Sequence, residues 1–252
     1  MYRALDDIDR VKWFIARGSL VNIASHSGYT SLMCASQGGQ LEIVQLLIEK
    51  GANVNAARTN DGGTALMWAG EKSHLEIARL LIDKGANVNA AMKNGGQTAL
   101  MYASQEGHLE LVRLLIDKGA NVNAARSDDG CTALMLASFK SHLEIARLLL
   151  ENGASAGVEG LGITPLFNAC TNGHLELARL LINFGANVNN VIDAAANVHI
   201  AGCTPLMIAS KTGCLPLVQL LLAKGAHKFI TSISGATAFS LASTPAIKRA
   251  LK

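Results

Sequence analysis

Aromatic residues make up only 4% of this 252-residue chain, so its core cannot rest on large rings. Proline is scarcer still, with four copies, which leaves little to interrupt helices. The five cysteines (Cys34, Cys131, Cys170, Cys203 and Cys214) are an odd number without paired spacing, and they read as free thiols in a reducing compartment. No apolar run reaches the length of about 18 residues that a bilayer-spanning helix needs, so no membrane partner is expected. The opening stretch MYRALDDIDR carries acids where a secretory signal would need a basic region. A formal net charge of +3 is too small to imply nucleic acid by bulk electrostatics. These absences point to a cytoplasmic location, or to a host cytosol if the chain is an effector delivered without a cleaved signal.

What the chain does have is self-similarity. GANVN begins at Gly51, Gly85, Gly119 and Gly185, with variants at Gly153 and Gly225. A threonine-led start recurs at Thr30, Thr64, Thr98, Thr132, Thr164, Thr204 and Thr237, and only the step from Thr164 to Thr204 is clearly longer than the others. A period of roughly 33 excludes a heptad coiled coil and leaves short supersecondary units, each burying its apolar face against its neighbours. Each unit reads as two helices. The first starts at the threonine, whose hydroxyl can cap backbone N–H groups, with Pro165 and Pro205 at the first helical position. It ends at a Gly or Ser turn (Gly39, Ser73, Gly107, Ser141, Gly173, Gly213). The second has the helical apolar spacing of Leu109, Val112, Leu115 and Ile116, with Glu110, Arg113, Asp117 and Lys118 toward water and Gly119 as its left-handed stop. The stretch NVNAARSDDG that follows is turn chemistry, predicting a hairpin with a short extended Val–Asn pair.

These residues, Thr-x-Leu-x-x-Ala, then Gly-His-Leu-Glu, then Leu-Leu-Ile-x-x-Gly-Ala-Asn-Val-Asn, resemble the ankyrin repeat over about residues 5–252. The resemblance implies an all-α solenoid of stacked helix–turn–helix units with hairpin connections, and a concave face of hairpins and first helices. It implies a single array over 1–252, with an abridged N-terminal half-repeat at 5–22, where Ile8–Arg17 aligns with a second helix and Trp13 takes a Leu slot. Pro245–Leu251 is expected as a short closing helix. Repeats two and four share Ala-Ala-Arg and Lys-Ser-His-Leu-Glu-Ile-Ala-Arg, so the middle looks like a duplicated pair of repeats. The stretch between Gly185 and Thr204 is longer than its counterpart between Gly51 and Thr64, predicting an extended loop at 190–202. Its apolar Val191, Ile192, Val198 and Ile200 either fold back or offer a contact point.

Little here suggests chemistry. His74, His108, His142 and His174 recur at one slot, but one whole repeat separates successive copies, too far to share a zinc ion; their expected role is a hydrogen bond to the neighbouring turn. Met33, Met67, Met101, Met135 and Met207, with Phe167, stand where the family places the His of Thr-Pro-Leu-His. This departure predicts repeats held more by packing than by hydrogen bonds. His199, Cys203, Cys214 and His227 match no zinc spacing, and no nucleophile elbow, phosphate loop or carboxylate pair appears. No enzyme activity, metal or cofactor is expected. Glu76–Arg79, Glu110–Arg113, Glu144–Arg147 and Glu176–Arg179 read as surface ion pairs one turn apart.

The positions that vary within the repeating frame are the candidate binding surface. After the Met slot stand Cys34, Trp68, Tyr102, Leu136, Asn168 and Ile208; just beyond lie Gln37, Glu71, Gln105, Phe139, Thr171 and Lys211. Arg58, Asn60, Asp61, Lys93, Asn94, Arg126, Asp128 and Asp129 fall at the hairpin tips. Aromatics beside arginine are frequent interface anchors, although Trp68 and Tyr102 are equally open to a packing role between first helices. The resulting expectation is a monomeric, non-catalytic scaffold binding another protein on its concave face through Trp68, Tyr102, Leu136, Phe139, Glu71, Gln105, Arg58, Asp61, Lys93, Arg126 and Asp128. The alternative is an ankyrin segment of a larger scaffold, channel or secreted bacterial effector.

Overall fold

The computed structural model describes residues 21–157, 163–193 and 200–252. The half-repeat at 5–22, with Trp13, lies almost wholly outside the described residues, as do Val198 and His199 of the long loop. Residues 1–121 and 122–252 form two compact units. Among the described residues the regular structure is fourteen helices, with backbone bridges but no extended strands.

In the first unit the helices pair as α1 (Ser31–Gln37) with α2 (Leu41–Glu49), α3 (Ala65–Glu71) with α4 (Leu75–Asp83), and α5 (Ala99–Glu106) with α6 (Leu109–Asp117). First helices pack on first helices and second on second. Threonine initiates the first helices for the reason its chemistry suggests: the Thr30 and Thr98 hydroxyls accept hydrogen bonds from the Met33 and Met101 amides. Thr64 differs, its hydroxyl being buried without a hydrogen bond. The turn between paired helices needs a left-handed residue. Glycine supplies it at Gly39 and Gly107, whereas Ser73 is held there at φ 62°. The second unit repeats the scheme with α7 (Ala133–Phe139) and α8 (Leu143–Glu151), α9 (Pro165–Thr171) and α10 (Leu175–Asn183), α11 (Pro205–Thr212) and α12 (Leu215–Ala223), and the short α13 (Ala238–Leu241) and α14 (Pro245–Ala250).

The core is thin and aliphatic. Ala35, Ala69, Ala103, Ala137, Ala169 and Ala209 are fully buried at one slot of the first helices, where a bare methyl lets neighbouring backbones approach. The methionine slot is core as well: Met33, Met67, Met101, Met135 and Met207 are at most 2% exposed, and Phe167 is buried. The second helices are buried over a wider arc than the spacing predicts. Leu111 and Leu114 join Val112 and Leu115 in the core, while Leu109 and Ile116 are half-buried. Each second helix faces both its own first helix and the second helices beside it, so two stripes are covered rather than one.

Hydrogen bonds cross the boundaries between repeats in addition to the packing expected there. The second Asn of each Asn-Val-Asn reaches into the next repeat. Asn55 donates Nδ2 to the Gly85 carbonyl (2.8 Å) and accepts from the Asn87 amide (2.7 Å). Asn22 does the same with Gly51 and Asn53, and Asn89 with Gly119 and Asn121. In the second unit Asn123 holds Gly153 and Ser155, and Asn189 holds Gly225 and His227. Histidine adds another rung, with Nε2 of His74 and His108 each 3.1 Å from the carbonyls of Gln37 and Glu71. The histidine bonds are those expected at that slot, and the asparagine bonds add a second link across these boundaries.

The hairpins also differ in detail. The extended pairing is a single antiparallel bridge at Ala57–Thr64, Ala91–Thr98 and Ala125–Thr132, while Val54–Asn55 lies in the turn leaving the second helix. In the long loop Ile192 folds back and is 3% exposed, its amide and carbonyl bonded to Cys203 and Gly202, whereas Val191 remains 45% exposed.

Candidate functional site

The first unit gathers its aromatics beside its hairpins. The residue after the Met slot projects toward the hairpin of its own repeat: the Trp68 ring lies against Gly63, and the Tyr102 hydroxyl donates to Met92 Sδ at 3.3 Å. Tyr29, Trp68 and Tyr102 follow one another in a row: Tyr29 stacks on Trp68 with centroids 5.8 Å apart, and Tyr102 meets Trp68 at 6.5 Å, tilted by 39°. The Arg58 guanidinium lies 4.1 Å from the Tyr29 ring centroid and 5.5 Å from that of Trp68. Such cation–π contacts fix an arginine that would otherwise sweep solvent. Trp68 is the buried middle rung at 8% exposed, and its indole N–H is buried without an acceptor. Its packing role is thus the one the structure favours. Tyr29 and Tyr102 are half-buried and keep open edges. Tyr29 and Met92 were not foreseen as site residues; the placement of Tyr29 one residue before Thr30, among so few aromatics, was the available signal.

The charged tips are braced. Arg58 Nε lies 3.3 Å from Asp61 Oδ1, an ion pair whose N–H is not aligned for a hydrogen bond, and the same oxygen accepts the Gly63 amide at 3.0 Å. The Lys93 amide donates to the Asp61 carbonyl (2.7 Å) and its ammonium to the Thr59 carbonyl (3.2 Å), tying neighbouring hairpins together. Glu71 pairs with Lys72 at 2.8 Å, and Gln105 donates to Glu106 at 3.0 Å.

The second unit repeats the brace two repeats further along the chain. Arg126 meets Asp128 Oδ2 at 2.8 Å and Asp129 Oδ1 at 3.2 Å, and Asp129 accepts the Cys131 amide. The Arg126 hydrogen bond holds the Asp128 carboxyl down at about 2, from an ordinary 3.8. Leu136 is half-buried, whereas Phe139 is 58% exposed, and its carbonyl accepts from Asn172. Of the surface ion pairs expected on second helices, Glu144–Arg147 and Glu176–Arg179 come to 3.7 Å; Glu76–Arg79 and Glu110–Arg113 do not approach within 4 Å.

Two cysteines of the second unit are held as thiols. Burial pushes the Cys170 thiol up to about 12, and burial with the Asp129 carboxylate pushes Cys131 to about 11, so neither is a thiolate near neutral pH. Among the described residues no three His, Cys, Asp or Glu side chains are grouped to hold a metal, and no helix is long and apolar enough to cross a membrane.

Paired helices, a left-handed turn and a hairpin, repeated in each successive unit, define an all-α repeat solenoid. The family model "Ankyrin repeats (3 copies)" matches residues 1–92, 91–159 and 155–232, and the chain belongs to the ankyrin repeat family. Among solved structures it is similar to the human ASB11 ankyrin repeat domain, with TM-score 0.75, 26% identity and coverage of 88% of this chain and 96% of that one. It is also similar to the ankyrin repeat domain of Bcl-3, a member of the IκB family, with TM-score 0.73, 29% identity and coverage of 90% and 99%. No curated protein matches the chain in a sequence comparison. Ankyrin repeat domains are in general protein–protein interaction modules and typically non-catalytic.

Proposed function

We propose that this chain is a non-catalytic scaffold that holds a partner protein on the face made by its hairpins and first helices. The observation that carries this reading is the Tyr29–Trp68–Tyr102 row, three rings in contact on adjacent repeats next to a guanidinium, in a chain otherwise poor in aromatics. A buried central ring with two half-exposed flanking rings gives a rigid anchor, and rigid aromatic anchors beside arginine carry much of the energy of protein interfaces. Tyr102, Lys93, Glu71 and Gln105 supply the exposed part of this surface in the first unit. Arg58 and Asp61 act beneath it as a brace. In the second unit Leu136, Phe139, Arg126 and Asp128 occupy the corresponding positions and are read in the same way.

The test is a pull-down from the native cell with three forms of the chain. Tyr102→Ala with Lys93→Glu alters this face without emptying the core. Glu76→Lys with Arg79→Glu alters the second-helix side. The proposal expects the first variant to lose the specific partner and the second to keep it. The reverse pattern, or equal retention, would overturn it.

A further inference from the structure

The net charge of +3 conceals a division along the chain. Every one of the 19 acidic residues lies at or before Asp193. Beyond it the charged side chains are Lys211, Lys224, Lys228, Lys248, Arg249 and Lys252, all basic. The repeat frame itself is altered to produce this. Second helices elsewhere begin with an acid (Glu42, Glu76, Glu110, Glu144, Glu176), and all but the first of these are followed by Arg one turn later. In α12 these positions are Pro216 and Gln219. Among the described residues none of Lys211, Lys224, Lys228, Lys248, Arg249 and Lys252 lies within 4 Å of a carboxylate side chain, whereas Lys118, Arg126, Arg147 and Arg179 each do.

Three of these cations converge on a concavity. Lys248, Arg249 and Lys252 line an open cavity of about 500 Å³ together with Phe239, Thr244 and Pro245. Lys228 joins them, donating Nζ to the Lys252 carbonyl at 2.8 Å and lying 5.5 Å from the centroid of its neighbour Phe229. Two large apolar side chains are exposed here as well: Phe239, which lines the cavity, is 41% exposed, and Phe229, beside Lys228, is 83% exposed. Solvation alone explains neither a single sign of side-chain charge nor two large apolar side chains in water.

We infer that this end of the second unit is a second binding surface, whose occupant is an acidic segment of a partner protein carrying an apolar residue that seats against Phe239. Carboxylates would meet Lys248, Arg249 and Lys252 as charge-assisted hydrogen bonds, with the apolar side chain removing Phe239 from water. A bilayer cannot follow cations into a concavity. A nucleic acid would stack successive bases on several aromatic rings, and Phe239 is the one aromatic that lines this cavity.

The experiment is fluorescence anisotropy of the full chain with a labelled synthetic peptide of glutamates flanking one Phe, alongside its all-Gln counterpart, single-stranded poly-dT and phosphatidylserine vesicles. The inference expects the Glu peptide to bind, to weaken with salt, and to exceed all three comparators. Lys248→Glu with Arg249→Glu should lower its affinity about tenfold or more, because two attractions become repulsions. The neutral pair Lys248→Gln with Arg249→Gln should fall between, and Arg113→Glu in the first unit should leave binding unchanged. Both altered residues are exposed, so thermal melts should coincide with wild type; the graded series separates lost charge from lost fold. Absence of Glu-peptide binding, equal binding by the charge-reversed chain, or tighter binding to poly-dT or vesicles would each overturn the inference. None of these variants touches Tyr102 or Lys93, so this surface and the hairpin face fail independently.

Discussion

Replacing Asn55 by Ala tests how far the asparagine rungs hold neighbouring repeats together. Asn55 makes two bonds across a repeat boundary, one donated to Gly85 and one accepted from Asn87, at 2.8 and 2.7 Å. A net protein hydrogen bond contributes about 0.5–1.5 kcal/mol. Gly85 and Asn87 are exposed, so their freed backbone groups would be rehydrated and no burial penalty is added. The expected cost is therefore about 1–3 kcal/mol, or roughly 2–12 °C in Tm for a domain this size. Equilibrium urea unfolding followed by circular dichroism measures the first quantity, and amide exchange at Asn87 reports the broken rung locally. Asn60→Ala is the control, since among the described residues the side chain of Asn60 bonds only its neighbour Thr59, at 3.3 Å. It should change stability by less than about 0.5 kcal/mol. Asn55→Asp refines the test, because it keeps the acceptor for Asn87 but sets a carboxylate against the Gly85 carbonyl. It should be more destabilising at neutral pH than in acid, where the protonated carboxyl can donate. If Asn55→Ala costs no more than Asn60→Ala, the rungs are incidental and packing alone holds the repeats.

Three further outcomes are expected. Ser73 and Ser141 are held at φ 62° and 66°, where other repeats use glycine, so Ser73→Gly and Ser141→Gly should each stabilise the chain by up to about 1 kcal/mol in thermal melts. Trp68→Ala should cost about 3–5 kcal/mol through the cavity it leaves, which calorimetry would register with no partner present. Because the Asp128 carboxyl titrates lower in the folded chain (about 2) than unfolded (3.8), its pairing stabilises above pH 4 and is lost as pH falls through 2; Asp128→Asn should flatten the stability profile across that window.

The parts of the fold that depend on neighbours in sequence were legible. A threonine caps an amide three residues away and a glycine terminates its own helix, so Thr98 and Gly119 carry their roles in local spacing. The methionine slot was legible as core through its helical periodicity. The asparagine rungs were not, because Asn55 finds its partners 30 and 32 residues away and GANVN reads locally as turn chemistry alone. The candidate site was legible in part. Its residues are those that vary within a fixed frame, but variation does not tell a brace from a contact. Only the structure shows Arg58 laid over Tyr29 and Trp68 buried between two tyrosines. The cationic end was hidden for a different reason: a single net charge averages the acid-free stretch after Asp193 with everything before it.

The most direct test of the central claim is hydrogen exchange on the chain with and without its isolated partner. The account predicts partner-dependent protection concentrated in the hairpin tips around 57–63 and 91–97 and in the turn after Glu71 and Gln105, with the second helices Leu75–Asp83 and Leu109–Asp117 unchanged. Protection confined to those second helices, with the hairpins exchanging as in the free chain, would contradict it.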